Sequence, residues 1–156
     1  MQRILFVCLG NICRSPAAEG ILKKMAADSG VESKVFIDSA GTSAYHSGSL
    51  PDHRMIEHAK KRGYTLNSRS RQIESSTDFE NFDLILTMDT SNYADVIKLD
   101  VHSKYAHKIK PVTQFCRIHS LNDVPDPYYS GSDGFELVLD ILEDACEQII
   151  RSIASY

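Results

Sequence analysis

Residues 3–19 read Arg3-Ile-Leu-Phe-Val-Cys8, then Leu9-Gly-Asn-Ile-Cys-Arg14, then Ser15-Pro-Ala-Ala-Glu19. A continuous apolar run, a short loop holding Gly10 and Asn11, and a Ser-Pro start make strand, tight turn and helix in succession. Ser15 is expected as the N-cap and Pro16 as the first helical residue, with Glu19 adding negative charge in the first turn. Ile21, Leu22 and Met25 follow at amphipathic spacing, and the helix should stop near Gly30.

Outward from this unit, Lys34 to Asp38 reads as a second strand at the distance a βαβ crossover needs, which argues for a parallel sheet. Ser39-Ala-Gly-Thr-Ser-Ala-Tyr45 reads as the loop at its end. Pro51 to Arg62, closed by Gly63, is a helix; Phe82 to Thr87 is a buried strand; Ser91 to Leu99 is a short helix; Lys108 to Val112 is a weaker strand. Phe135, Val138, Leu139, Leu142, Cys146, Ile149 and Ile153 recur at three- and four-residue steps behind Asp133, a cap candidate, and mark a last helix that packs on the sheet. The pattern is a small α/β sandwich of one domain, 1–156, with ligands expected at the carboxyl ends of the strands. Cys8 stands at such an end.

Composition narrows the function classes. The 156 residues carry a formal charge of −4, and 17 Lys and Arg are scattered with no basic stripe, so a nucleic-acid partner is not expected. The apolar start is too short for a signal-peptide core and no other run approaches a membrane span, so the chain is expected in the cytoplasm, away from membranes. The four cysteines, at 8, 13, 116 and 146, form no CxxC pair. Neither a zinc site nor a disulfide framework fits them, and no metal is expected. His53 and His58 lie five apart on a helix and read as solvated.

Phosphate recognition at a helix N-terminus needs close backbone approach, converging N–H groups and a fixed cation. Residues 9–15 supply all three. Gly10 permits an awkward backbone, the amides from Leu9 through Asn11, Ile12 and Cys13 can turn inward, and Arg14 can hold two phosphate oxygens through its planar fork. The same field favours a thiolate at Cys8, which could attack phosphorus and form a thiophosphate, with Ser15 easing its later departure. With four Cys and eight Arg in the chain, a bare C-x5-R match arises by chance in roughly one such sequence in five. The context of strand, Gly, Asn and Ser-Pro helix start raises its weight over a buried Cys8 and a solvated Arg14. Far along the chain, Val124-Pro-Asp-Pro-Tyr-Tyr129 stiffens the backbone on both sides of Asp126. Alone it reads as a surface turn; paired with a phosphate loop, Asp126 reads as a proton donor.

VCLGNICRSP at 7–16, DSAGTS at 38–43, Met88-Asp-Thr-Ser-Asn92 and DPYY at 126–129 together resemble the low-molecular-weight protein tyrosine phosphatases, nearly end to end. The resemblance implies a four-stranded parallel sheet with helices on both faces, hydrolysis of phosphotyrosine monoesters on proteins, and no cofactor or metal. It makes Cys8 the nucleophile, Arg14 the transition-state clamp, Ser15 the hydrogen-bond partner of the thiolate and Asp126 the general acid. Asn11 and Ser39 match positions that brace the loop. Cys13 matches a second loop cysteine able to trap an oxidised Cys8. Tyr45, Tyr128 and Tyr129 are placed to wall an aromatic pocket. Phosphate and vanadate are expected as competing ligands. One position departs: many members have a histidine where this chain has Ser68, and a hydroxyl there can still make one bracing bond.

Two rivals have their own tests. A thiol-dependent arsenate reductase shares the anion loop but needs an accessible cysteine relay, whereas Cys116 and Cys146 are isolated and Cys146 lies on an apolar stripe. A phosphotyrosine-binding module would need no proton donor, so the joint presence of Cys8, Arg14, Ser15 and Asp126 speaks against it.

Overall fold

Four parallel strands, β1 (Gln2–Cys8), β2 (Val35–Gly41), β3 (Leu84–Thr87) and β4 (Ile109–Pro111), lie in the order β2-β1-β3-β4 in a computed structural model that describes residues 1–155. β1 is central and pairs with both β2 and β3. Its two edges are thus paired and helices cover both of its faces, which is why it reads as an unbroken apolar run. Ile4, Phe6 and Cys8 pack with α1 (Arg14–Asp28), α2 (His53–Lys61) and α5 (Ser132–Ala154); Leu5 and Val7 pack on the other side against α3 (Asp78–Asn81), Phe82 and α4 (Thr90–Leu99). The result is the expected three-layer sandwich with helices on both faces of a parallel sheet. Because β2 and β3 flank β1 on opposite sides, the strand order reverses at the carboxyl end of β1, the place where open α/β sheets bind ligands.

Several boundaries shift for local reasons. β2 runs on through Ser39, Ala40 and Gly41, which the sequence reading assigned to a loop, because Gly41 still pairs with Cys8 and bridges to Gln72. A Cβ on Gly41 would lie 2.6 Å from the Leu9 carbonyl oxygen, so only glycine lets the strand pass this close beneath the 9–14 loop. α1 begins at Arg14, with Cys13 at its cap and no capping side chain. Ser15 is thus not the N-cap; its hydroxyl has been diverted to Cys8. Asp133 is likewise inside the first turn of α5, behind Gly131. Asp52 caps α2 by accepting from Arg54 N at 2.9 Å, and Asp89 caps α4 in a reciprocal box with Asn92. α3 and the short 3-10 turns were not expected from periodicity; the helix has four residues, too few to show a period.

All seven apolar positions named for the last helix are buried. His58, by contrast, is not simply solvated: its Nδ1 lies 2.7 Å from Glu136 Oε2, and its ring stacks on Phe135 at 5.4 Å. No helix among the described residues is long and apolar enough to cross a membrane.

Candidate active site

The turn after β1 wraps around the Cys8 sulfur. Sγ accepts from Asn11 N at 3.3 Å and lies 3.0 Å from Ser15 Oγ. The backbone strain of the turn falls on Asn11, at φ 57°, rather than on Gly10 as the sequence suggested. Asparagine tolerates the left-handed region better than most residues, and here its side chain exploits the position. Its Oδ1 accepts from Arg71 N at 3.0 Å. A backbone N–H can only donate, so the amide orientation is fixed, and Nδ2 is left to donate to Ser15 Oγ at 2.8 Å and Ser39 Oγ at 2.9 Å. Ser39 must then donate onward, to Glu19 Oε1 at 2.6 Å, and the other Glu19 oxygen accepts from Lys23. Gly10 instead leaves room for His46: a Cβ there would stand 3.0 Å from His46 Cδ2, a tight contact.

The bracing expected at Ser68 comes from residues farther along. Ser70 Oγ donates to Gly10 O at 2.9 Å, and Arg71, besides its amide bond to Asn11, is clamped between Asp38 and Asp78. A strap from residues 70–73 therefore presses on the back of the loop.

Arg14 is almost wholly buried, its side chain 3% exposed. Nη1 donates to Asp89 Oδ2 at 2.6 Å and to Val124 O at 3.0 Å, which uses both of its hydrogens. Nε and Nη2 remain as a two-pronged edge, the geometry that matches two oxygens of a tetrahedral anion. Burial works against the Arg14 charge, but the neighbouring Cys8 and the bond to Asp89 outweigh it and hold the guanidinium above its ordinary pKa. Asp89, which the sequence showed only as part of the Met88–Asn92 motif, is the anchor of Arg14.

Cys8, Leu9, Gly10, Ile12, Cys13 and Arg14 line a cavity of about 490 Å³ together with Tyr45, Asp126, Tyr128 and Tyr129. Asn11, Ser15 and Ser39, which the sequence reading grouped with or beside the ligand contacts, lie buried beneath it. Asp126 Oδ2 is 3.6 Å from Arg14 Nη2, its Oδ1 accepts from Tyr128 N at 3.0 Å, and its side chain is 45% exposed. The tyrosines form a rim: Tyr129 is 96% and Tyr45 87% exposed. Ser43 and His46 also line the cavity and were missed, His46 sitting edge-on to Tyr45 at 4.8 Å. Cys13 is buried, and burial first, then Asp52 and Cys8, push its thiol well above the ordinary range. Cys116 is pushed up to about 12 by burial and Asp144, and Cys146 is raised by burial, so neither is a ready thiolate.

A tight loop at the end of a central parallel strand, with a thiol in its floor, a buried arginine in its wall and a carboxylate at its mouth, has the layout of a cysteine-dependent phosphatase. The chain belongs to the low molecular weight phosphotyrosine protein phosphatase family, which it matches over residues 3–156. A Synechocystis sp. relative is 49% identical over 152 residues, covering 97% of this chain and 96% of its own. The crystal structure of a protein tyrosine phosphatase from Entamoeba histolytica, with Hepes in the active site, superposes with a TM-score of 0.95 at 46% identity, covering 99% of this chain and 98% of that one. YfkJ from Bacillus subtilis gives a TM-score of 0.91 at 38% identity, with 99% and 96% covered. The protein is a low molecular weight protein tyrosine phosphatase.

Proposed function

We propose that this chain, as one phosphatase domain, hydrolyses phosphotyrosine on cytoplasmic protein substrates through a cysteinyl phosphate on Cys8. The observation that carries the reading is that Cys8 Sγ, the free edge of Arg14 and the Asp126 carboxylate open onto one cavity, with each of the first two held by fixed hydrogen bonds. In the first step the Cys8 thiolate forms the S–P bond as the P–O bond to the phenol breaks, and Asp126 gives its proton to the departing oxygen. In the second, water attacks phosphorus, Asp126 takes a proton from it, the S–P bond breaks and inorganic phosphate leaves. Arg14 and the amides of Leu9 to Arg14 hold the three non-bridging oxygens throughout. Ser15 supports the thiolate, Tyr45, Tyr128 and Tyr129 flank the phenol ring, and phosphate and vanadate compete for the loop. The Hepes in the active site of the Entamoeba histolytica relative supports this oxyanion reading.

Acid quenching during turnover of a phosphotyrosine peptide should trap phosphate on Cys8, with chelators present throughout and no added cofactor. Cys8→Ser should end turnover yet still retain phosphotyrosyl peptides. A strict need for a divalent metal, or turnover with no phosphorylated thiol on any quench timescale, would sink the proposal.

A further inference from the structure

Arg54 lies outside the cavity, yet it touches one of the loops that form it and is tied through Asp52 to the other. Its Nε and Nη2 make a two-pronged pair with Asp52, at 3.0 Å to Oδ1 and 2.9 Å to Oδ2. Asp52 in turn donates its backbone N–H to Ile12 O at 2.8 Å, so the N-terminus of α2 is fastened to the phosphate loop. From this fixed base Arg54 Nη2 also donates to Tyr128 O at 3.0 Å, and the guanidinium carbon lies 5.5 Å from the centre of the Tyr128 ring and 4.9 Å from that of Phe135. Tyr128 is the residue whose N–H holds Asp126 Oδ1. One side chain thus grips the carbonyl and ring of the residue that orients the acid, and it does so from a support shared with the loop that holds the nucleophile.

We propose that Arg54 is a positioning residue that sets the distance from Asp126 to the leaving oxygen. The inference rests on Asp126 being the general acid. A two-pronged arginine pair is stiff in direction, whereas a lysine ammonium is a point charge on a flexible stem. Proton transfer demands hydrogen-bond reach of the atom receiving the proton, and a displacement of about 1 Å can cost on the order of 10²-fold. Phosphate binding by Arg14 and the loop amides does not pass through Arg54.

The test compares phenyl phosphate, whose leaving oxygen needs a proton, with nitrophenyl phosphate, which needs it less. In Arg54→Met, turnover of phenyl phosphate should fall about 10- to 100-fold and of nitrophenyl phosphate less than about 3-fold, with vanadate affinity unchanged. The dependence of kcat on leaving-group pKa should steepen. Arg54→Lys should show the same selectivity at smaller size, and serves if the methionine variant does not fold. Combined with Asp126→Ala, Arg54→Met should add no further selectivity, since both act on one proton transfer. Equal slowing of both esters, slowing of neither, or additivity with Asp126→Ala would overturn the role given to Arg54. If Asp126→Ala itself fails to discriminate the esters, the general-acid assignment falls and takes this inference with it; if Asp126→Ala discriminates and both Arg54 variants do not, only the inference falls.

Discussion

Residues 8–15 and residues 124–130 face each other across one cavity, but they are secured to different degrees. In the first segment the side chains of Asn11, Arg14 and Ser15 are buried and each has at least two hydrogen-bond partners. In the second, Val124 is buried with its N–H donating to Met88 O at 2.7 Å, and Pro127 is buried, but Asp126 between them is half exposed and Tyr129 almost fully so. The difference matches the work each would do. Stabilising a charged phosphoryl group calls for donors aligned before the substrate arrives. A group that gives a proton, admits water and takes a proton back gains from a mount that can open, and sparse burial is what permits local opening.

The sharpest way to break this comparison is Asp126→Ala. Phosphotyrosine turnover should fall by about 10²- to 10⁴-fold with KM nearly unchanged, and the alkaline side of the pH–rate profile should flatten, as steady-state kinetics across pH would reveal. A raised KM with intact kcat would mean that the outer loop binds substrate rather than serving chemistry.

Asp89→Asn keeps an acceptor for the α4 cap while removing the charge that pins Arg14. The expected loss is about 10- to 100-fold in kcat/KM, shared equally by good and poor leaving groups and accompanied by weaker vanadate binding. Leaving-group selectivity in this variant would show that Arg14 and Asp126 are one unit, and the division between the two loops would fail.

Cys13→Ser should change turnover by less than about 3-fold, because no step of the proposed cycle passes through its sulfur. Recovery from peroxide should suffer instead: without a neighbouring thiol the oxidised Cys8 goes on to irreversible forms. Since burial raises the Cys13 thiol, its reactive thiolate grows with pH, and reductant-reversible protection of the native enzyme should strengthen from neutral to alkaline pH. Peptide mass mapping of Cys8 after peroxide and reductant checks both; full recovery of the serine variant would refute the trapping role.

The smallest effect on rate is expected at Asp144, which secures residues 117–119, ahead of Asp126 in the chain. Its buried carboxylate accepts from the N–H groups of Arg117, Ile118 and His119 and lies 2.8 Å from His119 Nδ1. Although burial opposes ionisation, those bonds lower its pKa to about 2. A depressed carboxylate contributes stability that is fully present above its unfolded value near 3.8 and is lost as pH falls through 2. The contribution is about 2 kcal/mol. Denaturant unfolding between pH 5 and about pH 2 should show this loss in the native protein and much less of it in Asp144→Asn, with kcat at neutral pH hardly moved in the variant.

Most of the sheet and the three lining residues Cys8, Arg14 and Asp126 were legible because strand runs, the Ser-Pro helix start and the Asp-Pro turn are local patterns. What stayed hidden depends on contacts between distant segments. The extension of β2 through Gly41 answers to the crowding of the Leu9 carbonyl, 32 residues away in sequence. Asp89 caps α4 with one oxygen, and its other oxygen binds Arg14, 75 positions earlier in the chain. Glu19 reads as a first-turn acid, although its target is Ser39 in the adjacent strand β2. Ser15 could equally cap its own helix or serve Cys8, and nothing local chooses between them. The resemblance pointed to position 68, whereas the bracing bonds come from Ser70 Oγ and Arg71 N, which reach the loop only through the fold.

Ser15 owns a single hydroxyl hydrogen, and its oxygen already receives one from Asn11. Two acceptors lie within its swing, Cys8 Sγ at 3.0 Å and Ala40 O at 3.3 Å. In the proposed cycle the hydrogen points at the sulfur while it is anionic, and turns to the carbonyl when sulfur carries the phosphoryl group and has become a poor acceptor. The strand end at Ala40 is then a parking place, and the hydroxyl a two-position rotor that registers the charge on sulfur. One turnover of that cycle would swing this O–H bond out and back between two acceptors already within its reach.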